Sequence, residues 1–205
     1  MQVFVTGTDT DVGKTVIASW LTAHLKAYYW KPIESYSDNR DSDYEIVKKL
    51  SNLRDDKIIP CDYSFKTPVS PHLAAKIENR CIDMETLAVP NIAPLVIEGA
   101  GGVMVPINDD YKIIDLIQKF NIATIIVARS GLGTINHTCL TIEALRNRNI
   151  PILGIIMNGK KNQDNKEAIE KYGKVKVLSE FEPLTKLNFE SLKNIPLPQA
   201  ILEYT

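Results

Sequence analysis

The sequence predicts an α/β fold: a single domain with a central, mostly parallel β-sheet covered by helices on both faces. Three observations carry that prediction. Short β-branched apolar runs alternate with longer amphipathic stretches, the pattern of successive strand–helix–strand units. The runs that start at Val3, Pro94, Ile122 and Ile152 are almost wholly apolar, as strands buried on both faces require. The chemically unusual residues fall just after these runs, and in an open parallel sheet that is the edge where ligands bind.

Residues 3–5 form the first strand, and a helix follows from about residue 14 to residue 26. Residues 27–31 form the second strand, which Pro32 closes, since proline has no N–H to give a ladder. Residues 43–53 have helical spacing, with Ile46, Val47, Leu50 and Leu53 on one face. The third strand, 94–98, runs into Gly99-Ala100-Gly101-Gly102. The fourth is 122–127, and its helix opens near Thr134 and reaches about Arg148. The fifth, 152–157, ends at Asn158-Gly159; residues 165–172 form a helix and 175–178 a last strand. Between residues 55 and 90 the prolines at 60, 68, 71 and 90 interrupt the pattern. That stretch reads as irregular structure over the sheet's edge or the active site. From residue 180 onward the pattern assigns no element.

A chain of 205 residues suits one sizeable domain, residues 1–205. Its apolar fraction of 44% and charged fraction of 24% are ordinary for a folded protein. A formal net charge of −1 provides no basic footprint for nucleic acid and no field for anionic lipid. Cys61, Cys81 and Cys139 are odd in number and widely spaced, with no CxxC pair, which argues against a disulfide framework or a zinc site. No signal-peptide pattern and no membrane-length apolar run is present. The expectation is a reduced cytoplasmic protein with no nucleic-acid or membrane partner.

The run Gly7-Thr8-Asp9-Thr10-Asp11-Val12-Gly13-Lys14-Thr15 follows a strand and opens a helix, the setting of a P-loop. Backbone N–H groups there cradle phosphates, Gly13 permits close approach, and Lys14 reaches the β- and γ-phosphates. The Thr15 hydroxyl suits Mg²⁺. The strict pattern would need glycine at position 8, and this chain has Thr8 with Gly7 one place earlier. The fold class is therefore a single-domain P-loop NTPase. Lys14 and Lys31 then read as cations at the ends of adjacent strands, and Glu98 as a carboxylate that ends an apolar strand, where Mg²⁺ or a lysine would satisfy it.

The loop resembles the G-T-D-T-x-V-G-K-T loop of the dethiobiotin synthase family. Four further segments agree with that family in order and spacing: Lys31-Pro32-Ile33, Ser70-Pro71-His72, Glu98-Gly99-Ala100-Gly101-Gly102 and Gly133-Thr134-Ile135-Asn136-His137. The resemblance spans residues 3–158 and fades beyond. It implies an ATP- and Mg²⁺-dependent ligase that closes 7,8-diaminopelargonate and CO₂ (bicarbonate) into the ureido ring of dethiobiotin, through a carbamate and a phosphorylated carbamate, releasing ADP and phosphate. It also implies a homodimer with composite sites.

Residue by residue, the resemblance assigns catalysis to Lys14 and Lys31 and nucleotide binding to Thr10, Asp11, Val12, Gly13, Lys14, Thr15, Val16, Glu98, Gly101 and Asn158. It assigns the substrate to Thr10, Lys31, Ser35, Ser70, Pro71, Gly131, Leu132, Gly133 and Asn136, the last four holding its carboxylate tail at a helix N-terminus. Metal ligation falls to Thr15, Asp43 and Glu98. Asp38 and Asp41 crowd the same loop as Asp43, and a helix-capping role suits any of the three. Tyr36 stands where the family commonly has glycine. His24, His72 and His137 read as structural.

Two other groups with this loop fit less well. Cobyrinate-type amidotransferases need a glutaminase domain, for which the chain is too short. Partition or site-selecting ATPases usually carry an additional lysine at the position of Thr8. A regulatory module without chemistry of its own is the remaining alternative. The family's G-x-[IL]-P turn, which completes the base pocket, is altered here to Leu178-Ser179-Glu180-Phe181-Glu182-Pro183. Few base contacts follow from that segment, so ATP, GTP and CTP should show comparable kcat/KM; a large preference for ATP would contradict this.

Overall fold

Parallel strands need crossovers, and amphipathic helices supply nearly all of them here. The computed structural model describes residues 1–36 and 41–204. In chain order its elements are β1 (Gln2–Gly7), α1 (Lys14–Leu25), β2 (Tyr28–Trp30), β3 (Ile33–Ser35), α2 (Asp43–Ser51), β4 (Ile58–Ile59), β5 (Tyr63–Phe65) and α3 (Pro71–Ile77). Then come β6 (Leu95–Gly102), α4 (Ile113–Phe120), β7 (Thr124–Arg129), α5 (Thr134–Arg146), β8 (Ile152–Asn158), α6 (Gln163–Gly173), β9 (Val177–Phe181), α7 (Phe189–Lys193) and α8 (Gln199–Glu203). Seven strands form one sheet in the order β4-β2-β6-β1-β7-β8-β9, and β3 pairs with β5 in a small second sheet. The paired strands all run parallel.

The period-2 alternation of strand side chains divides the core in two. Phe4, Ile97, Ile126 and Ile155 point into one cluster with Ile113, Leu116, Ile117 and Leu145. Val3, Val5, Val96, Ile125 and Ile156 point into the other with Ile17, Trp20, Leu21 and Val47. Helices therefore cover both faces, as the apolar strands require.

Several expectations change. β1 and β2 are not neighbours: β6 lies between them and pairs with both, so the strands leading to Lys14 and Lys31 flank the strand that carries Glu98. Order along the chain does not dictate order across a sheet, because a crossover can skip a position. β6 itself runs on through the glycines to Gly102, past the strand end expected at residue 98. The stretch from 55 to 90 holds β4, β5 and α3; these are too short for periodicity to reveal. α4 also escaped the sequence reading, although it is eight residues long. The last strand lies at Val177–Phe181, two residues later than expected.

The C-terminal residues that gave no pattern are pinned to the first helix. Trp20 is fully buried; its indole N–H donates to the Ile195 carbonyl at 2.9 Å, and its ring meets Phe181 edge-on at 4.7 Å. Leu192 and Ile201 are buried in the same cluster. Trp20→Ala should cost about 3–5 kcal/mol of stability and open the chain to trypsin at Lys186 and Lys193. Urea denaturation and limited proteolysis read both effects, and a loss below about 1 kcal/mol would show that the C-terminal segment docks without Trp20.

Candidate active site

The P-loop leaves β1 and must turn sharply to start α1. Asp11 and Gly13 make the turn with positive φ, 57° and 98°. Gly13 is required twice, because a Cβ there would lie 2.2 Å from Asn158 Nδ2. Asn158, at the end of β8, donates from that nitrogen to the Val12 carbonyl at 2.9 Å, so it clasps the loop. Asp9 braces the other side: its carboxylate accepts from the Thr10 N–H at 2.8 Å and from Arg129 at 2.6 Å. Its carbonyl accepts from Lys14 Nζ at 3.0 Å. No side chain caps α1, and its first N–H groups are free to meet an anion.

Behind the loop lies a buried ionic cluster built by strand register. Trp30 pairs with Ile97, which sets Lys31 beside Glu98 one residue further along. Lys31 Nζ donates to Glu98 Oε1 at 3.0 Å and also to Asp43 Oδ2. The Thr15 hydroxyl lies 2.9 Å from both Asp43 Oδ1 and Glu98 Oε1. Glu98 is 0% exposed, Lys14 7% and Lys31 8%, which places the charges largely out of water. Asp43 enters from the first residue of α2. Ser42 precedes it as the cap, with its N–H and hydroxyl both donating to Glu45 at 2.9 Å. Asp43 is thus not the cap of its helix, and its carboxylate turns to the cluster instead. Asp41 pairs with Lys49 at the surface, and Asp38 lies outside the described residues.

Burial disfavours the charge on Lys31, but Glu98 and Asp43 outweigh it and hold the ammonium above the ordinary lysine range. On Lys14 burial and then the Lys31 charge outweigh the opposing pull of Glu98, Asp43 and Asp11, and its pKa is lowered. Asp43 is pushed up by burial and pulled further down by Lys31, so its carboxyl sits below the usual range. Lys31 therefore stays protonated. Its contribution is positive charge, not proton abstraction.

The remaining predicted residues occupy the rim. The Ser35 hydroxyl is buried with no hydrogen-bond partner among the described residues, as is that of Thr8. Ser70 opens α3 and its hydroxyl lies 3.0 Å from His72 Nδ1, with Pro71 buried as the next residue. Gly101 has φ 64° and leaves no room for a Cβ, which would lie 2.8 Å from Val105. Val12 is buried and Val16 half-buried against the core under α1. Gly131, Leu132, Gly133 and Asn136 are exposed, and α5 starts at Gly133 with φ 90° and no side-chain cap. A groove of about 430 Å³, lined by Thr8, Asp9, Val103, Met104, His137 and Leu140 among others, joins this helix end to the P-loop. His24 approaches the Leu192 carbonyl at 3.4 Å, a packing role.

Sequence reasoning missed three residues. Tyr29 is fully buried and donates its hydroxyl to Glu98 Oε2 at 2.9 Å. Glu34, 2% exposed, accepts from the Asp43 N–H. Arg129 holds Asp9. Tyr29 had a signal, since it stands two residues before Lys31 and shares its face of the strand. Glu34 had a weaker one, an acid between apolar and proline-bounded residues.

The donors that converge are hard oxygens: one hydroxyl and two carboxylates. No group of three His, Cys, Asp or Glu side chains is placed to hold a metal by itself among the described residues. The set fits Mg²⁺ in the mode where one or two carboxylates and substrate phosphates share the ion.

A family model described as an AAA domain matches residues 1–191. The ATP-dependent dethiobiotin synthetase BioD of Paramagnetospirillum magneticum is 48% identical over 197 residues, 96% of this chain and 95% of that protein. The protein of the same name from Lawsonia intracellularis is 47% identical over 201 residues, 98% and 97% of the two chains. Among solved structures, a ParA family ATPase from Chlorobium tepidum superposes with a TM-score of 0.53 at 11% identity, covering 94% of this chain and 96% of that one. That likeness is one of fold alone.

The segment that follows Lys31 carries a reporter. Cys61 donates to the Pro32 carbonyl at 3.5 Å, and burial, aided by the Glu34 charge, pushes its thiol up to about 12. Cys81 is exposed. Since the thiolate is the reactive form, a rise of about three units cuts it about 10³-fold near pH 8. Iodoacetamide at pH 8 should label Cys81 quickly and Cys61 at least about 100-fold more slowly, read by mass spectrometry. Equal rates would show that Cys61 is not held buried beside Pro32.

Proposed function

The chain belongs to the family of ATP-dependent dethiobiotin synthetases, ligases of biotin biosynthesis, and from that premise we propose how its own residues close the ring. The carrying observation is the convergence of Thr15, Asp43, Glu98 and Lys31 behind an uncapped P-loop. ATP lies with its phosphates on the N–H groups of residues 12–16, with Thr10, Asp11 and Gly101 beside them and Lys14 released from the Asp9 carbonyl to the γ-phosphate. Asn158 borders the base from its place over the loop. Thr15, Asp43 and Glu98 would hold Mg²⁺, which when bound neutralises charge on the phosphate oxygens.

The diamine carries a carbamate formed from one amine and CO₂. Its oxygen attacks the γ-phosphorus, the bond to ADP breaks, and a phosphorylated carbamate results. The second amine then attacks the carbamate carbon, phosphate leaves with the proton equivalent, and the ureido ring is closed. Lys31 stabilises the negative charge that gathers on the carbamate and the moving phosphoryl group. Being fixed by buried partners, it needs no reorganisation to do so. The partnerless Ser35 hydroxyl supports a polar contact to the same end of the substrate, with Ser70 and Pro71 closing that side.

The substrate's carboxylate tail suits the N–H groups of Gly131, Leu132, Gly133 and Asn136 at the start of α5. Leu132 is fully exposed, and Met104 and Leu140 are more than half exposed. Such an apolar rim supports a homodimer that covers the tail. Residues 1–205 act as one domain in this reading. No helix among the described residues is long and apolar enough to cross a membrane, and the free cysteines and the need for ATP support a cytoplasmic setting.

Phosphate release from ATP–Mg²⁺ should require both 7,8-diaminopelargonate and bicarbonate and should yield dethiobiotin. Lys31→Ala should lower kcat by about 10²–10³-fold while ADP binding persists in calorimetry. ATP turnover indifferent to the diamine would overturn the assignment and favour a nucleotide-switch role.

A further inference from the structure

Glu98 uses its two oxygens differently. Oε1 faces the site, toward Lys31 at 3.0 Å and Thr15 at 2.9 Å. Oε2 faces inward and accepts the Tyr29 hydroxyl at 2.9 Å. Both side chains are fully buried, so no solvent competes for this bond. A buried carboxylate oxygen left without a donor is costly, and the phenol is what meets it.

The sheet explains why a tyrosine reaches that far. Tyr29 pairs with Val96 across β2 and β6, and Glu98 lies two residues on, along the same face. That diagonal is spanned by long aromatic side chains. Tyr29 and Lys31, alternating on one face of one strand, thus take hold of Glu98 from its two sides. The ring itself is packed in the core with Val3, Val5 and Val96, so the hydroxyl has little freedom to move.

We propose that Tyr29 is a positioning residue: its hydroxyl holds Glu98 in the one orientation that presents Oε1 to Thr15 and Lys31. This rests on the reading of Glu98 as a metal ligand. Tyr29 touches neither substrate nor phosphate in that reading; it acts through Glu98, as the hydrogen-bond partners of metal ligands commonly do.

Tyr29→Phe removes the hydroxyl and keeps the ring. Mn²⁺ binding in the presence of ADP, followed by electron paramagnetic resonance, should weaken about 10-fold. The Mg²⁺ concentration for half-maximal turnover should rise by a similar factor, with KM for the diamine unchanged. Wild-type Mn²⁺ affinity in Tyr29→Phe overturns the proposal, and so does a parallel loss of metal and diamine affinity, the mark of a merely structural residue. Glu98→Gln separates this from the underlying reading. If it binds Mn²⁺ like the wild type, the metal assignment fails; if it weakens binding and Tyr29→Phe does not, only the role of Tyr29 fails. Should the Phe variant not fold, 3-fluorotyrosine at position 29 retains ring and hydroxyl. Its ¹⁹F resonance should move when Mg²⁺ is added to the ADP complex, and an unmoved resonance overturns the proposal.

Discussion

The protein is organised around one buried ammonium. Lys31 lies in the interior between Glu98 and Asp43, and neither charge type would be tolerated there alone. Removing one partner of such a group leaves an unpaired buried charge, at a cost of about 3–5 kcal/mol. The cluster is therefore held as a unit, and the elements that bring its members together are held with it. β2 contributes Lys31 and Tyr29, β6 contributes Glu98, α2 contributes Asp43 and α1 contributes Thr15. A ligand that brings anionic phosphates and a divalent cation rearranges charges that are already in place.

The two ends of the site are built by one device used twice. α1 and α5 each begin at a glycine with positive φ and without a side-chain cap, and each follows directly on a central strand. By contrast α2, α6 and α7 are closed by Ser42, Asn162 and Asn188. A cap would consume the N–H groups that an anion needs. α1 and α5, left open in this way, point their N-termini at the ligand edge of the sheet, at phosphate on one side and at carboxylate on the other in the proposed reaction.

The sheet and the residues at its strand ends are separate parts of this design. The likeness to a ParA family ATPase extends over most of the chain at 11% identity, so the overall arrangement of strands and helices is common to both. The chemistry-bearing residues sit at the strand ends and the helix starts: lysine after β2, glutamate in β6, and Asp43 at the start of α2. Function is carried there and not by the sheet.

The sequence by itself determined the alternation of strands and helices, the P-loop, and the identity of Lys14, Thr15, Lys31 and Glu98 as the residues to watch. These are local signals: periodicity and a glycine–lysine–threonine run report on neighbours a few positions away. Even α4 was legible in principle, from its apolar spacing. Only the tertiary structure decided that β6 separates β1 from β2, that Asp43 and not Asp41 turns inward, and that Tyr29 and Glu34 stand behind the carboxylates. Those facts depend on partners 69, 9 and 28 residues apart along the chain. A side chain's role at such range is set by sheet order and register, and by which charge must be paired once water is excluded. Neither is written in any short stretch of residues.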